Sequence, residues 1–236
     1  MSKKMMQQAF LFLWPLFLST ILAGAACQFR RTSLSSVQTS SLSLTKVVVF
    51  GFRPALKEGE EPRITRGPIA GGIFESAPVS SDTAMEMTRI LLDMCASQKG
   101  YKLVSPDAAQ AAYSNIVQSY EGVSINFMEI LGQIGRDFGA DAVLVGHIYR
   151  WRERQGTDFA VTYPASVAFD LNLIRPANGA ILWTAKFDKT QRSLSENILD
   201  IGTFLKGKGR WMTADQLGML GLREIMKHMP PGGTEQ

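Results

Sequence analysis

At 236 residues and 45% hydrophobic composition, the chain is long enough to bury one complete core. Its 25 basic and 21 acidic residues give a net charge of +4; without Lys3 and Lys4 of the opening segment the balance is 23 to 21, or +2. That is too near neutral for a nucleic-acid binder, and two cysteines are too few for a disulfide scaffold.

Residues 1–26 read as an export signal. Lys3 and Lys4 make a basic start, Ala9–Leu22 is rich in Phe, Leu, Trp and Ile, and Ala23-Gly24-Ala25-Ala26 is a run of small residues before Cys27. A retained membrane anchor over residues 9–26 is the alternative, at the lower length limit for spanning; Pro15 and the small residues favour cleavage. Residues 28–45 hold nine Ser or Thr and no acid, the composition of a flexible tether.

The folded domain is expected over residues 46–229. Lys46–Phe52 (KVVVFGF) is a first core strand. Residues 55–78 show no clean period and read as a long surface loop. Within it, Gly67-Pro68-Ile69-Ala70-Gly71-Gly72 lacks the spacing of a phosphate-cradling loop. Asp82–Gln98 is a helix with Met87, Ile90, Leu91 and Met94 on one face. Tyr101–Ser105 is a short strand, and Pro106 opens a second helix. Asn126 caps a third helix carrying Ile130, Leu131, Ile134 and Phe138, and Gly139 suits its left-handed end.

The run Ala142–Tyr149 is apolar without alternation, as in a strand buried on both faces. Ser166–Ile174 and residues 181–188 both alternate, with Asn178-Gly179 between them. This is the strongest hairpin signal in the chain, expected to set one face on the core and one in water. Capping boxes at Ser193–Glu196 and Thr213–Gln216 start two more helices, the second stapled by Met212 and Leu217. Residues 230–236, opening Pro230-Pro231-Gly232-Gly233, read as a loose tail. The fold class is α/β: a single domain with a mixed sheet packed by helices, preceded by signal and tether.

This order resembles the envelope lipoprotein superfamily that includes the curli-secretion channel and the penicillin-binding-protein activator lipoproteins. The residues carrying the resemblance are Val47–Phe52, the 82–98 helix with Tyr101–Val104, Ile134–Ile148 (IGRDFGADAVLVGHI) and Leu171–Trp183 (LNLIRPANGAILW). Channel members need extra amphipathic strand pairs of membrane-spanning length, and none stands out here. The small-residue run before Cys27 resembles a bacterial lipoprotein signal, although Gly24 stands where Leu is usual. The resemblance implies lipid on Cys27 as the new amino terminus, with ordinary cleavage after Ala25 or Ala26 as the alternative. Gln28 at the following position implies the outer membrane, facing the periplasm. It implies a non-catalytic protein without cofactor that binds another envelope protein, such as a cell-wall synthase or a secretion component.

Chemistry read from the residues is sparse. Only His147 and His228 are available as bases, no GxSxG elbow is present, and His and Cys show no metal-ligand spacing. His147 reads as a structural, hydrogen-bonded residue and Cys95 as a buried inert thiol. Arg150, Arg152 and Arg154 share a strand face with Trp151 opposite, and Lys206, Lys208 and Arg210 precede Trp211. These two basic-aromatic patches are the candidate docking residues, since Arg and Trp are typical anchors; solvated surface is the plainer reading. Two further functions stand beside the docking reading: a subunit of an oligomeric secretion or assembly complex, with a homo-oligomer as one form, and an envelope hydrolase.

Overall fold

The computed structural model describes residues 34–35, 44–98, 100–120, 125–157, 160–191 and 211–233. Cys27, the export signal, most of the tether, the Ser193–Glu196 helix start, Lys206, Lys208 and Arg210 lie outside them. The described residues all belong to one compact unit, Thr32–Gln236.

The fold is mixed α/β, built on a six-stranded sheet. Its strands are β1 (Leu34–Ser35), β2 (Lys46–Pro54), β5 (Lys102–Val104), β6 (Ala142–Arg152), β9 (Ser166–Ile174) and β10 (Ile181–Thr190). Their spatial order is β1-β10-β9-β6-β2-β5. β2 runs parallel to both β5 and β6, while β6, β9 and β10 form an antiparallel meander. Val47, Val48 and Val49 of β2 and Val143, Leu144 and Val145 of β6 have no exposed surface. The unbroken apolar runs are therefore the strands covered on both faces, as expected.

Four described helices supply the cover: α1 (Ser81–Ser97), α2 (Pro106–Ser119), α3 (Phe127–Asp137) and α4 (Ala214–Met226). Each starts where a side chain can satisfy an otherwise unpaired backbone N–H. The Ser80, Ser105, Asn126 and Thr213 side chains accept from Thr83, Ala108, Met128 and Gln216 respectively, and Thr213 with Gln216 completes a reciprocal capping box. Gly139 follows α3 with φ +56°, the left-handed conformation the sequence called for.

The helices divide by face. Met87, Leu91 and Cys95 of α1 and Leu217, Leu222 and Ile225 of α4 pack on Leu144, Ile148, Phe169, Leu171 and Phe187. On the opposite face, Ile116 of α2 and Ile130, Leu131 and Ile134 of α3 pack on Val48, Phe50, Val143 and Val145. Cys95 is fully buried, and that burial pushes its thiol up to about 12.

Three expectations are corrected. First, residues 55–78 are not one irregular loop. β3 (Arg63–Arg66) and β4 (Ile73–Ser76) pair antiparallel as a hairpin. The hairpin seats on the sheet through Phe74, whose ring stacks on Tyr149 with centroids 3.6 Å apart, and through Ala77 N, which donates to Tyr149 O. Lys186 Nζ lies 4.0 Å from the Phe74 ring centroid and donates to Ile73 O.

Second, the expected water-facing side of β9 is covered. Ser166, Ala168, Asp170 and Asn172 are all buried. Their face carries Tyr149 and Phe74, so the hairpin missing from the sequence reading hides it. Asp170 is accommodated because Tyr149 Oη donates to Oδ2 at 2.8 Å and His147 N donates to Oδ1 at 3.2 Å. Burial and the Asp170 charge together push the Tyr149 phenol far above its ordinary range.

Third, the start of the 230–236 tail is docked. Gly232 bridges Leu44, Gly233 N donates to Leu44 O at 3.0 Å, and Tyr101 Oη donates to Pro230 O. Within residues 28–45, Leu34 and Ser35 pair with Ala185 and Thr184 at the edge of β10. The 178–179 turn is as expected, with Gly179 at φ +69° and its N–H on Arg175 O.

Candidate docking surface

β6 carries the predicted docking residues and bends just before them. Its register with β9 shifts between Ile148↔Phe169 and Arg150↔Ala168. Such a bulge inserts one residue and re-aims the strand that follows. Tyr149 and Arg150 therefore both serve the face under the β3–β4 hairpin, and Trp151 turns to the α4 face.

Arg150 is not a surface residue. It is 4% exposed, and all three guanidinium nitrogens are committed internally. Nε donates to Ser166 Oγ at 2.7 Å, Nη1 to Glu75 O at 2.7 Å and Nη2 to Asp188 Oδ1 at 2.6 Å. It ties the hairpin to β9 and β10. The expectation that Arg150 docks a partner fails because β4, unseen in the sequence, lies over it. Trp151 is half-buried: its ring lies against Gly218 of α4, and Nε1 donates to Asp215 Oδ1 at 3.2 Å. It anchors α4 to the sheet, and Trp211, also half-buried, stands three residues before the start of that helix.

Arg152 and Arg154 lie beyond this covered stretch. Arg152 is exposed and pairs with Glu75 of the hairpin at 3.2 Å. Both line an open groove of about 630 Å³ together with Glu75, Glu153, Tyr163 and Thr190. Tyr163 ends β8 (Val161–Tyr163), which pairs with β7 (Gln155–Gly156) in a short ribbon continuing from β6. Tyr163 is 63% exposed. Glu153 forms the floor toward α4, where Oε2 accepts the Ala214 N–H at 2.9 Å and places a carboxylate on the helix N-terminus.

The hairpin supplies the apolar half. Thr65 and Phe74 face the sheet, so the paired residues Ile64–Glu75 and Arg66–Ile73 face outward. Ile64 is 73% and Ile73 58% exposed. Glu75 joins this outer face to the groove through Arg152. Ile64, Ile73 and Tyr163 were missed in the sequence. The available signal was the weak alternation of Ile64-Thr65-Arg66 and Ile73-Phe74-Glu75 around a glycine-rich turn.

The structure thus brings Arg152 and Arg154 together with exposed apolar residues, and it takes Arg150 and Trp151 away. No group of His, Cys, Asp and Glu among the described residues is arranged to hold a metal ion. No helix among them is long and apolar enough to cross a membrane. β7 and β8, like β3 and β4, are far shorter than membrane-spanning strands.

No family model and no curated protein matches the sequence. Among solved structures, the chain is similar to the LpoB C-terminal domain from Salmonella enterica at 17% identity, covering 65% of this chain and 89% of that one, with TM-score 0.38. It is similar to a PelC dodecamer from Paraburkholderia phytofirmans at 17% identity, covering 70% and 88%, with TM-score 0.40. A lipoprotein from Neisseria meningitidis follows at 14% identity, covering 68% and 91%, with TM-score 0.38. All three are distant likenesses.

Proposed function

We propose that this protein is a lipoprotein, anchored through Cys27 in the outer membrane and facing the periplasm, that docks another envelope protein and regulates or helps assemble it. The observation that carries the reading is the exposed outer face of the β3–β4 hairpin, Ile64 and Ile73, continuous with a groove holding Arg152, Arg154 and Tyr163. Exposed large apolar residues rimmed by charge mark contact surfaces, and Tyr and Arg are frequent hot-spot residues. The partner class, a cell-wall synthase or a secretion component, rests on the sequence resemblance to the activator lipoproteins. The role is one of contact, without catalysis or cofactor.

In-cell cross-linking of the tagged full-length protein, followed by mass spectrometry, tests the reading. Capture of a cell-wall synthase or secretion component by the wild type, lost in Ile73→Asp and reduced in Tyr163→Ala and Arg152→Ala, is the expected result. The same capture by Cys27→Ala would remove the need for an anchor. Capture unchanged by all three surface substitutions would overturn the docking assignment.

One observation favours a second reading, a subunit of a homo-oligomer. β10 is ten residues long, and among the described residues only Leu34 and Ser35 pair with its outer edge. An open strand edge invites pairing with another chain. Light scattering on the purified protein separates the two: a closed oligomer at low micromolar concentration supports the second reading, and a monomer removes it.

A further inference from the structure

A row of charged and polar side chains crosses the sheet just beyond the apolar core of the α2–α3 face. Arg53 of β2 is the register neighbour of His147 of β6, His147 of Asp170 of β9, and Asp170 of Lys186 of β10. Asn172 stands two residues from Asp170 on the same face. In this row the Asp170 and Asn172 oxygens have partners, while three nitrogens have none. Asp170 accepts from Tyr149 Oη and His147 N, and Asn172 Oδ1 accepts from Thr184 Oγ1 at 2.8 Å. Arg53 Nη1, His147 Nδ1 and Asn172 Nδ2 are buried nitrogens with no hydrogen-bond partner; His147 Nδ1 lies 3.5 Å from Asp170 Oδ1 without bonding it. His147 is 7% exposed and Asn172 fully buried. Buried nitrogens without partners are rare and costly; those of Arg53 and Asn172 are donors, and His147 Nδ1 is one when it carries the ring proton.

The row also lies where open α/β sheets bind ligands. β2 connects to β5 through α1 on one face, and β5 connects to β6 through α2 and α3 on the other. β2 is therefore the switch strand, and Arg53 sits at its carboxyl end. Three rings fix the Arg53 guanidinium, with its carbon 5.5 Å from the Phe50 centroid, 4.7 Å from Tyr113 and 5.5 Å from Phe127. The His147 ring meets the same Phe127 edge-on at 5.9 Å, so both side chains converge on the first residue of α3. The glycine-rich turn of the hairpin borders the row: a Cβ on Gly67 would stand 2.6 Å from Tyr149 Oη and 3.1 Å from Asp170 Oδ2, and Ile69 packs on the α2–α3 core. Of the two unambiguous cations, Lys186 is spent on Ile73 O and the Phe74 ring. Arg53 is held by ring faces, which leave its in-plane donors free for an acceptor.

We propose that Arg53, His147 and Asn172 form a binding site for a small anion bearing several acceptor oxygens, a phosphate or a short dicarboxylate. Arg53 supplies the charge and a planar pair of donors, and His147 and Asn172 supply single donors set deeper in the sheet. Asp170 accepts the His147 backbone N–H and so helps place that residue. The site is separate from the Ile64–Arg152 surface, so it stands or falls independently of the docking function.

The test is an NMR titration of the full chain, labelled on the His ring and Asn side-chain amides, with inorganic phosphate and, separately, succinate. The expected result is a saturable one-site shift of His147 and Asn172 with at least one probe. Saturation by phosphate alone assigns a phosphorylated ligand, and saturation by succinate alone a carboxylate. Arg53→Met keeps the bulk between the rings and removes the charged donors; it should weaken binding roughly tenfold to a hundredfold. Absence of a saturable shift with either probe on the wild-type chain overturns the proposal, and this arm does not depend on any variant folding. Equal affinity in a folded Arg53→Met also overturns it.

Discussion

Replacing Arg150 separates a structural from a docking role most cleanly. Its guanidinium makes three hydrogen bonds, to Ser166, Glu75 O and Asp188, and the Arg150 and Asp188 side chains are 5% and 11% exposed. Truncating one partner of such a pair leaves the other charge buried, at about 3–5 kcal/mol. For a unit of this size that lowers the melting midpoint by roughly 10 °C. Arg152, two residues on, is 48% exposed and pairs with a Glu75 side chain that is 64% exposed; its loss should cost less than about 1 kcal/mol. Urea and thermal melts of Arg150→Met and Arg152→Ala, with partner capture measured in parallel, give the comparison. Arg150→Met should melt early, and Arg152→Ala should melt normally but capture poorly. A double-mutant cycle with Asp188→Asn should show strong coupling. An Arg150→Met protein as stable as wild type, yet unable to capture a partner, would refute the assignment of Arg150 to the interior.

Three other outcomes follow from the packing. Phe74→Ala removes the ring stacked on Tyr149 and should cost about 3–5 kcal/mol; proteolysis should then enter the hairpin first and partner capture should fall. Gly51 has φ +85°, and a Cβ there would strike Thr88, whose hydroxyl accepts the Phe52 N–H. Gly51→Ala should therefore cost about 2 kcal/mol or more in urea melts. In alkali, Cys95 and Tyr101 each hold their proton to about 12 in the folded protein, against ordinary values of 9.0 and 10.0, chiefly through burial. A raised folded pKa gives stability that is full below the unfolded pKa and is lost as pH climbs to the folded one. Stability should fall between pH 9 and 12, and Cys95→Ala should remove part of that slope.

The sequence was most legible where one signal decided the outcome. The valines of β2 and the run 142–149 had to be covered on both faces, and the Asn126 and Thr213 caps and Gly139 fixed helix ends through local chemistry alone. The β3–β4 hairpin was illegible because its strands are four residues long and Phe74 is their one buried apolar residue. Ile64 and Ile73 face outward, so the apolar pattern points away from the core. That single omission propagated. Asp170 and Asn172 read as the wet side of a strand, and Arg150 as surface, because what covers them was not seen. Alternation along β9 records which residues share a face; whether that face is wet depends on what the chain folds over it. Of the proposed docking surface, the sequence offered Arg152 and Arg154 without their apolar neighbours.

Site-specific photo-cross-linking in cells tests the central claim most directly. A photoreactive residue is placed in turn at Ile64, Ile73 and Tyr163, and at Met85 and Val117 as exposed positions on α1 and α2. Adducts to one cell-wall synthase or secretion component from the first three, and none from the last two, are the expected result. Adducts to that protein from Met85 or Val117 alone would contradict the assignment. Self-adducts in ladders from every position would replace docking with self-assembly.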